Sequence, residues 1–179
     1  DYRTSFCTRN VIKGVERQVV GDDDYCMSGA MGIDNRNLVP PFMPVLRHAD
    51  GVFSSVLKVC CKDSFRGHLP HLLIHDPPFN SDGEASISAI VDSLRVNDIV
   101  EWMIYKFGRH VRNDKGHSNM RKLGNHLMSI GSVQASVFEE LVHVTCSEIF
   151  ARRIRTAGRR LKTTHRPALA WRNDMEELV

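Results

Sequence analysis

The sequence lacks the features that mark membrane proteins and the common classes of enzyme. It has no run of about 18 apolar residues, so it predicts no membrane span. It also has no glycine-rich phosphate loop, no His-Glu-x-x-His zinc motif and no Gly-x-Ser-x-Gly nucleophile motif. We therefore expect a protein that is not an enzyme and that needs no cofactor.

Cysteine is scarce, and its spacing does not suit a disulfide or zinc scaffold. The chain has 5 cysteines, an odd number, and none of them forms a Cys-x-x-Cys pair. Free thiols in a reducing compartment fit this pattern better. A metal cluster is the alternative, because Cys and His side chains are good zinc ligands, but the spacing matches no zinc template. Its weak candidates are Cys60, Cys61, His68 and His71.

Charge is distributed unevenly along the 179 residues, although the net charge is only +3. Residues 1–100 hold 10 basic and 13 acidic side chains, whereas residues 101–179 hold 14 basic and 8 acidic ones. Apolar residues make up 42% of the chain, which is typical of a globular protein. The length suits one ordinary domain or two very small ones.

The first half of the chain shows little sustained periodicity. Residues 1–48 predict an irregular N-terminal extension, with one short helix near Val11–Val20. Residues 52–61 are compatible with a short helix or with a strand, since periodicity cannot decide so short a run. Residues 63–83 are rich in His, Pro, Gly and Asp, and Pro77-Pro78 excludes a helix there.

The second half predicts helices. Apolar residues from Ile87 to Val111 keep helical spacing for about seven turns, a shorter helix fits Met120–Ile130, and a second long helix runs from Ala135 to Leu161. A polar loop then covers Lys162 to Arg166, and Pro167 suits the start of a last helix that continues to Val179. No convincing strand follows residue 85, so the fold class is predicted to be all-α.

A basic stretch is the most pronounced chemical feature of the sequence. It holds seven cations within fifteen residues and not one acid, and three of them recur at helical spacing. Its members are Arg152, Arg153, Arg155, Arg159, Arg160, Lys162 and Arg166. Such stretches are usually solvated faces, but these cations continue into a loop and helix start, which is a common phosphate site. We therefore favour nucleic acid, and specifically the backbone of a duplex, because no aromatic residues are interleaved for base stacking.

The C-terminal residues resemble a known family. The sequence Leu169-Ala170-Trp171-Arg172-Asn173-Asp174-Met175-Glu176-Glu177-Leu178 is similar to the Leu-Ala-Ile-Arg-Asn-Asp-Glu-Glu-Leu pattern of histone two-A. Upstream, Ser147-Glu148-Ile149-Phe150 resembles the Ala-Glu-Ile-Leu of that family's central helix. Lys162-Thr163 and Pro167 stand where the family has Lys-Thr and a Pro in its second DNA-contacting loop. The resemblance covers about 48 residues, and Gly131 to Pro167 aligns without a gap.

The middle of the chain carries a second resemblance, to histone two-B. Residues 89–101 are similar to the Gly-Ile-Met-Asn-Ser-Phe-Val-Asn-Asp-Ile-Phe-Glu central helix, with Arg95 as an extra residue, and Val56-Leu57-Lys58 resembles the first helix. The two resemblances imply a fused histone doublet, as some giant DNA viruses encode, with two histone folds paired as a pseudo-dimer. Its parts would be the extension 1–48, a two-B-like unit at 49–130 with an insertion at 63–83, and a two-A-like unit at 131–179.

The two resemblances assign the same helix to different folds. Residues 117–130 fit the third helix of a two-B fold, but Gly124-Asn125-His126 also resembles the closing Gly-Asn-Tyr of the first two-A helix. One helix cannot serve both folds. Either a segment is absent near residues 116–131, or one fold is degenerate, or one likeness is chance.

The resemblance also implies partners and sites. It adds Thr163, Lys115 and Ser118 to the DNA-binding candidates, and it assigns Glu148, Asp174 and Glu176 to a partner-binding acidic patch. The implied function is structural packaging of duplex DNA without sequence specificity, in a hetero-oligomer with the other core histones. The protein would then lie in nuclear chromatin, or in a virus particle and viral factory. A histone-fold subunit of a transcription or kinetochore complex, and a basic helical scaffold of a ribonucleoprotein, are the alternatives.

Overall fold

The fold is mainly helical, as the sequence predicts. The computed structural model describes residues 11–13, 15–22, 31–61, 63–71, 73–75, 93–111, 115–165 and 169–177. Within them lie five helices: α1 at Ala49–Cys60, α2 at Val96–Gly108, α3 at Gly116–Gly131, α4 at Ala135–Thr163 and α5 at Leu169–Glu177. The all-α prediction is confirmed in that the described residues are mostly helical. No described helix has both the length and the apolar composition needed to cross a membrane.

Four short strands form two small ladders. Strand β1 (Val11–Lys13) pairs antiparallel with β4 (Leu73–His75), and β2 (Val19–Gly21) pairs with β3 (Arg66–His68). The helix expected near Val11–Val20 is therefore wrong. The β-branched residues at these positions are restricted in their rotamers and favour strands, and the partner strands lie far away in the sequence. The predicted insertion 63–83 contains β3 and β4.

The other sequence-based assignments differ from the structure mainly at helix boundaries. Of residues 52–61, all but the last are helical and belong to α1, and Cys61 is the C-cap of that helix. The predicted helices Met120–Ile130 and Ala135–Leu161 correspond to α3 and α4, and residues 31–48 contain no helix or strand until α1 begins. The loop expected from Lys162 is wrong in its first two residues, because α4 continues to Thr163.

The long helix predicted from Ile87 to Val111 is confirmed over Val96–Gly108, but it is wrong at its described N-terminal residues. Ser93 to Arg95 are not helical, and α2 begins only at Val96. Arg95 has an extended backbone, with φ −101° and ψ 154°, and its N–H donates to the Asp98 carboxylate at 2.9 Å. This local bond satisfies an N–H at the start of the helix, so it fixes the start one turn before Asp98. Residues 76–92 lie outside the described residues.

The described chain consists of two compact units. The core unit comprises the described residues of 20–67 and 94–146, and the terminal unit comprises those of 1–19, 68–93 and 147–179. Helix α4 runs from the core unit into the terminal unit. The division at residues 130 and 131 follows from the family resemblance and stays a prediction. Compactness instead places the division inside α4, between Cys146 and Ser147.

The core unit has its apolar centre where α1 packs against α2 and α3. Val52, Val59, Ile104 and Leu123 are buried there. Val52 and Val59 are seven positions apart, so they share one face of α1 over two turns. Half-buried apolar side chains surround them: Met43, Val56, Val100, Phe107 and Leu127. Burial of each large apolar side chain favours folding by about 1.5–3 kcal/mol.

Candidate nucleic-acid interface

The C-terminal half of α4 carries six of the seven cations of the basic stretch. All six belong to the terminal unit, and five of them are exposed, whereas Arg153 is half-buried. The seventh cation, Arg166, lies outside the described residues. The helix continues past the basic residues to Thr163, so their relative positions follow from helix geometry rather than from loop conformation.

Four of the exposed cations form a continuous row, which we name the α4 stripe: Arg152, Arg155, Arg159 and Lys162. Successive members are three, four and three positions apart, the spacing that places residues on one face of a helix. At about 1.5 Å of rise per residue, the row is about 15 Å long. The charged groups of Arg155, Arg159 and Lys162 have no acidic partner among the described residues.

Arg153 and Arg160 do not belong to this row. The Arg153 guanidinium donates to the Ser93 carbonyl oxygen at 3.2 Å and lies 5.9 Å from the centroid of the Phe150 ring. Arg153 thus has a structural contact that ties α4 to the chain before α2, and it is less available to an external phosphate. Arg160 is exposed, but it lies about 100° around the helix from Arg159 and off the stripe.

The remaining DNA-binding candidates have other surroundings. The Thr163 hydroxyl donates to the Arg159 carbonyl oxygen at 3.1 Å, inside the last turn of α4. Lys115 is exposed directly before α3, and its carbonyl oxygen accepts the N–H of Ser118 at 2.8 Å. Lys115 and Ser118 belong to the core unit, whereas the α4 stripe belongs to the terminal unit.

The predicted acidic patch differs in exposure from residue to residue. Glu148 on α4 is half-buried, Asp174 on α5 is only 9% exposed, and Glu176 is exposed. A carboxylate buried to that extent usually has partners within its own chain. Of the three predicted residues, Glu176 is therefore the one best placed to meet another protein.

The weak metal candidates are not gathered into a site. Among the described residues, no group of three or more His, Cys, Asp or Glu side chains could hold a metal ion. Cys60 is buried at the end of α1, and that burial raises the pKa of its thiol to about 11. Burial also raises the pKa of Cys61, whose Sγ lies 3.6 Å from the Leu38 carbonyl oxygen. Both shifts disfavour the thiolate, which is the form that binds metals.

A histidine and carboxylate cluster was not foreseen from the sequence. His48 Nε2 lies 2.5 Å from a carboxylate oxygen of Glu101 and 3.7 Å from one of Asp98. The hydrogen bond to Glu101 raises the pKa of His48, and the burial of the imidazole opposes the increase. His48 and Glu101 are 53 positions apart, so no local pattern could have linked them.

Comparison with protein-family models, with curated proteins and with solved structures found no match for the chain. The functional interpretation therefore depends on the α4 stripe and on the sequence resemblance.

Proposed function

We propose that this protein is a nucleosome-like core histone doublet that packages duplex DNA through its phosphate backbone, without sequence specificity. The observation that carries the proposal is the α4 stripe, whose four exposed cations lie along about 15 Å of one rigid helix. Duplex DNA has about one charge per 1.7 Å of its axis when both strands are counted, so a length of duplex equal to that of the stripe carries roughly nine phosphate charges. Contacts of this kind fix position without reading sequence.

A favourable interaction with the helix dipole accounts for only part of the stripe. Cations near a helix C-terminus are stabilised by about 0.3–1 kcal/mol, but this effect is limited to the last turn. Lys162 of the stripe lies in that turn, as does Arg160, which is not part of the stripe. Arg152 and Arg155 lie two turns or more before the end of α4, so the dipole gives no reason for their charge. Mutual repulsion along the stripe would be relieved by a polyanion.

Part of the helix pattern supports the histone proposal, whereas α2 has only 13 residues and begins at Val96, inside the stretch 89–101 that resembles the two-B central helix. Helices α1, α2 and α3 belong to one compact unit, in which α1 packs against both of the others. This favours the assignment of α3 to the two-B-like fold. Helix α4, with 29 residues, and the short α5 have the lengths expected of the central and last helices of a two-A-like fold. The proposed partners are duplex DNA and a tetramer of the other core histones, in chromatin or in a virus particle.

The decisive experiment is a measurement of binding against salt concentration. A stripe variant carries Arg155→Gln, Arg159→Gln and Lys162→Gln, changes that keep helix propensity nearly constant. A control variant carries Arg47→Gln, Arg109→Gln and Arg121→Gln, which remove the same charge from exposed positions of the core unit. Two unrelated DNA duplexes and one RNA duplex of equal length are titrated by fluorescence anisotropy.

The stripe variant is expected to bind DNA more weakly than the native chain does, with the same loss of affinity on both DNA duplexes. The slope of log K against log salt should flatten by about 2.7, which corresponds to three lost phosphate contacts at about 0.9 each. The control variant should keep most of the slope. Equal losses in the two variants, or a loss on one DNA sequence alone, would refute the proposed interface. Clear preference for the RNA duplex would instead favour the ribonucleoprotein scaffold.

The histone partners require a separate test. Reconstitution of the native chain with a tetramer of the other core histones on a DNA fragment should give a discrete complex on gel filtration and a defined nuclease-protected length. If the protected DNA is no longer than with the tetramer alone, the histone doublet would be contradicted. DNA binding without nucleosome-like assembly would then be the remaining hypothesis.

A further inference from the structure

The segment that leads into α1 is attached to the core unit by contacts on several sides. Pro40 is fully buried, and the Phe42 ring stacks on the buried Phe53 ring with centroids 3.9 Å apart. The Asn97 side-chain amide donates to the carbonyl oxygens of Val45 at 3.3 Å and Arg47 at 2.8 Å. We name residues 40–48 the entry segment. It has no helix or strand of its own, so these contacts fix its position.

His48 forms the last contact of the entry segment. Its backbone is left-handed, with φ 73° and ψ 24°, a strained conformation for a non-glycine residue. Its Nε2 lies 2.5 Å from Glu101 Oε2 and 3.7 Å from Asp98 Oδ1. The Ser55 hydroxyl donates to the other Glu101 oxygen at 3.5 Å. The His48 side chain is 24% exposed, so the imidazole is only partly accessible to water.

The position of the imidazole is enforced from α1 as well. A Cβ atom at Gly51 would overlap the His48 ring, so only glycine at that position leaves room for it. The ring therefore lies between the backbone of the first turn of α1 and the carboxylates of α2. A neutral imidazole in this place would still hydrogen-bond, but it would lose its Coulomb attraction to Asp98 and Glu101.

Three charged groups among the described residues act on the His48 imidazole. On α2, Asp98 and Glu101 favour the imidazolium, while Arg95, just before α2, opposes it. On α1, Asp50 lies in the first turn, close to His48 in sequence. The net effect favours the charged form of His48.

We propose that His48 is a proton-operated latch, which holds the entry segment against α2 when the imidazole is protonated and loosens it when the imidazole is neutral. The protonated imidazole is held by the two carboxylates of α2, Asp98 and Glu101. When it is neutral, the stacking of Phe42 on Phe53 and the hydrogen bonds of the Asn97 amide still keep the entry segment close to the core unit. The latch does not depend on the proposed DNA function, since none of its residues belongs to the α4 stripe.

The direction of the effect follows from proton linkage. The pKa of His48 is raised in the folded chain above its ordinary value of 6.5. Its contribution to stability is therefore fully present below pH 6.5 and is lost as pH rises through the higher folded-state pKa. The latch should hold below pH 6.5 and loosen as pH rises through the raised folded-state pKa.

Trypsin provides a direct measure of the entry segment, because Arg47 lies inside it and Arg36 lies outside it. Both side chains are exposed, and Arg36 forms an ion pair with Asp34, two positions away. The ratio of cleavage after Arg47 to cleavage after Arg36 cancels the pH dependence of the protease itself. In the native chain this ratio should rise several-fold between pH 6 and pH 8. A ratio that does not change with pH would overturn the latch.

Variants and a spectroscopic titration separate the latch from general loosening. Glu101→Gln removes one of the two carboxylates that attract the imidazolium. His48→Asn removes the imidazole and keeps a residue that tolerates a left-handed backbone. Both should show a high ratio at pH 6 that changes little with pH, whereas His117→Asn, an exposed control, should behave like the native chain. In NMR spectra, the His48 resonance is the one that is missing in His48→Asn. The pKa obtained from this resonance should lie above 6.5 in the native chain and should be lower in Glu101→Gln. A His48 titration at or below pH 6.5 would refute the proposal even if Glu101→Gln fails to fold.

Discussion

The same substitution at two glycines of α3 should have opposite effects on stability. Gly124 has open space around its Cα, because nothing lies within 4 Å of an added Cβ. A Cβ at Gly116 would instead lie 2.9 Å from the Cys60 carbonyl oxygen and 3.7 Å from Leu38 Cδ2. The first of these contacts is with backbone at the end of α1, which cannot rotate away as a flexible side chain would. We therefore expect Gly116→Ala to force α1 and α3 apart.

The expected magnitudes follow from these surroundings. Gly124→Ala should stabilise the chain by about 0.4–1 kcal/mol, since alanine reduces the entropy of the unfolded chain and favours helix. Gly116→Ala should cost about 1–3 kcal/mol, the usual range for overpacking. Displacement of α3 would also lengthen the 3.1 Å bond from the fully buried Asn119 amide to the Val59 carbonyl oxygen. That bond crosses the same contact between α1 and α3.

Urea unfolding can be followed specifically in the core unit. The chain has 2 tryptophans, Trp102 on α2 and Trp171 on α5. In a common Trp171→Phe background, the fluorescence of Trp102 reports on the core unit alone. The midpoint should rise for Gly124→Ala and fall for Gly116→Ala, at unchanged slope. If Gly116→Ala were as stable as Gly124→Ala, the close approach of α3 to α1 would be refuted.

Two further predictions concern the core unit. Ile104→Ala should lower the stability of the core unit by about 2–5 kcal/mol, because the side chain is 1% exposed at the centre of the cluster; a urea midpoint close to that of the parent would contradict this packing. Iodoacetamide at pH 8 should label Cys60 roughly 100-fold more slowly in the native chain than in urea, since burial raises the pKa of its thiol from 9.0 to about 11; equal rates by peptide mapping would place Cys60 at the surface.

The α4 stripe illustrates how tertiary contacts modify a sequence feature. Seven cations are equivalent in the sequence, but their surroundings differ once α4 is formed. Arg153 donates to Ser93, 60 positions away, and Arg160 lies off the row formed by the other exposed cations. Composition reveals that the region is basic, and helix geometry decides which charges could face a single ligand.

The sequence by itself determined the helices whose apolar spacing is continuous. Helices α3 and α4 follow from this pattern, because a 3.6-residue period is a local property of the chain. The sequence also fixed the asymmetry of charge and the spacing of the basic residues.

Only the tertiary structure decided the features that depend on distant partners. The apolar spacing before Val96 favours a helix, yet Ser93 to Arg95 are not helical. The strand β1 forms because β4 lies beside it, although Lys13 and Leu73 are 60 positions apart in the sequence. The latch joins His48 to Glu101 across 53 positions. Such pairings depend on free energies of packing and hydrogen bonding that no local window of the sequence contains.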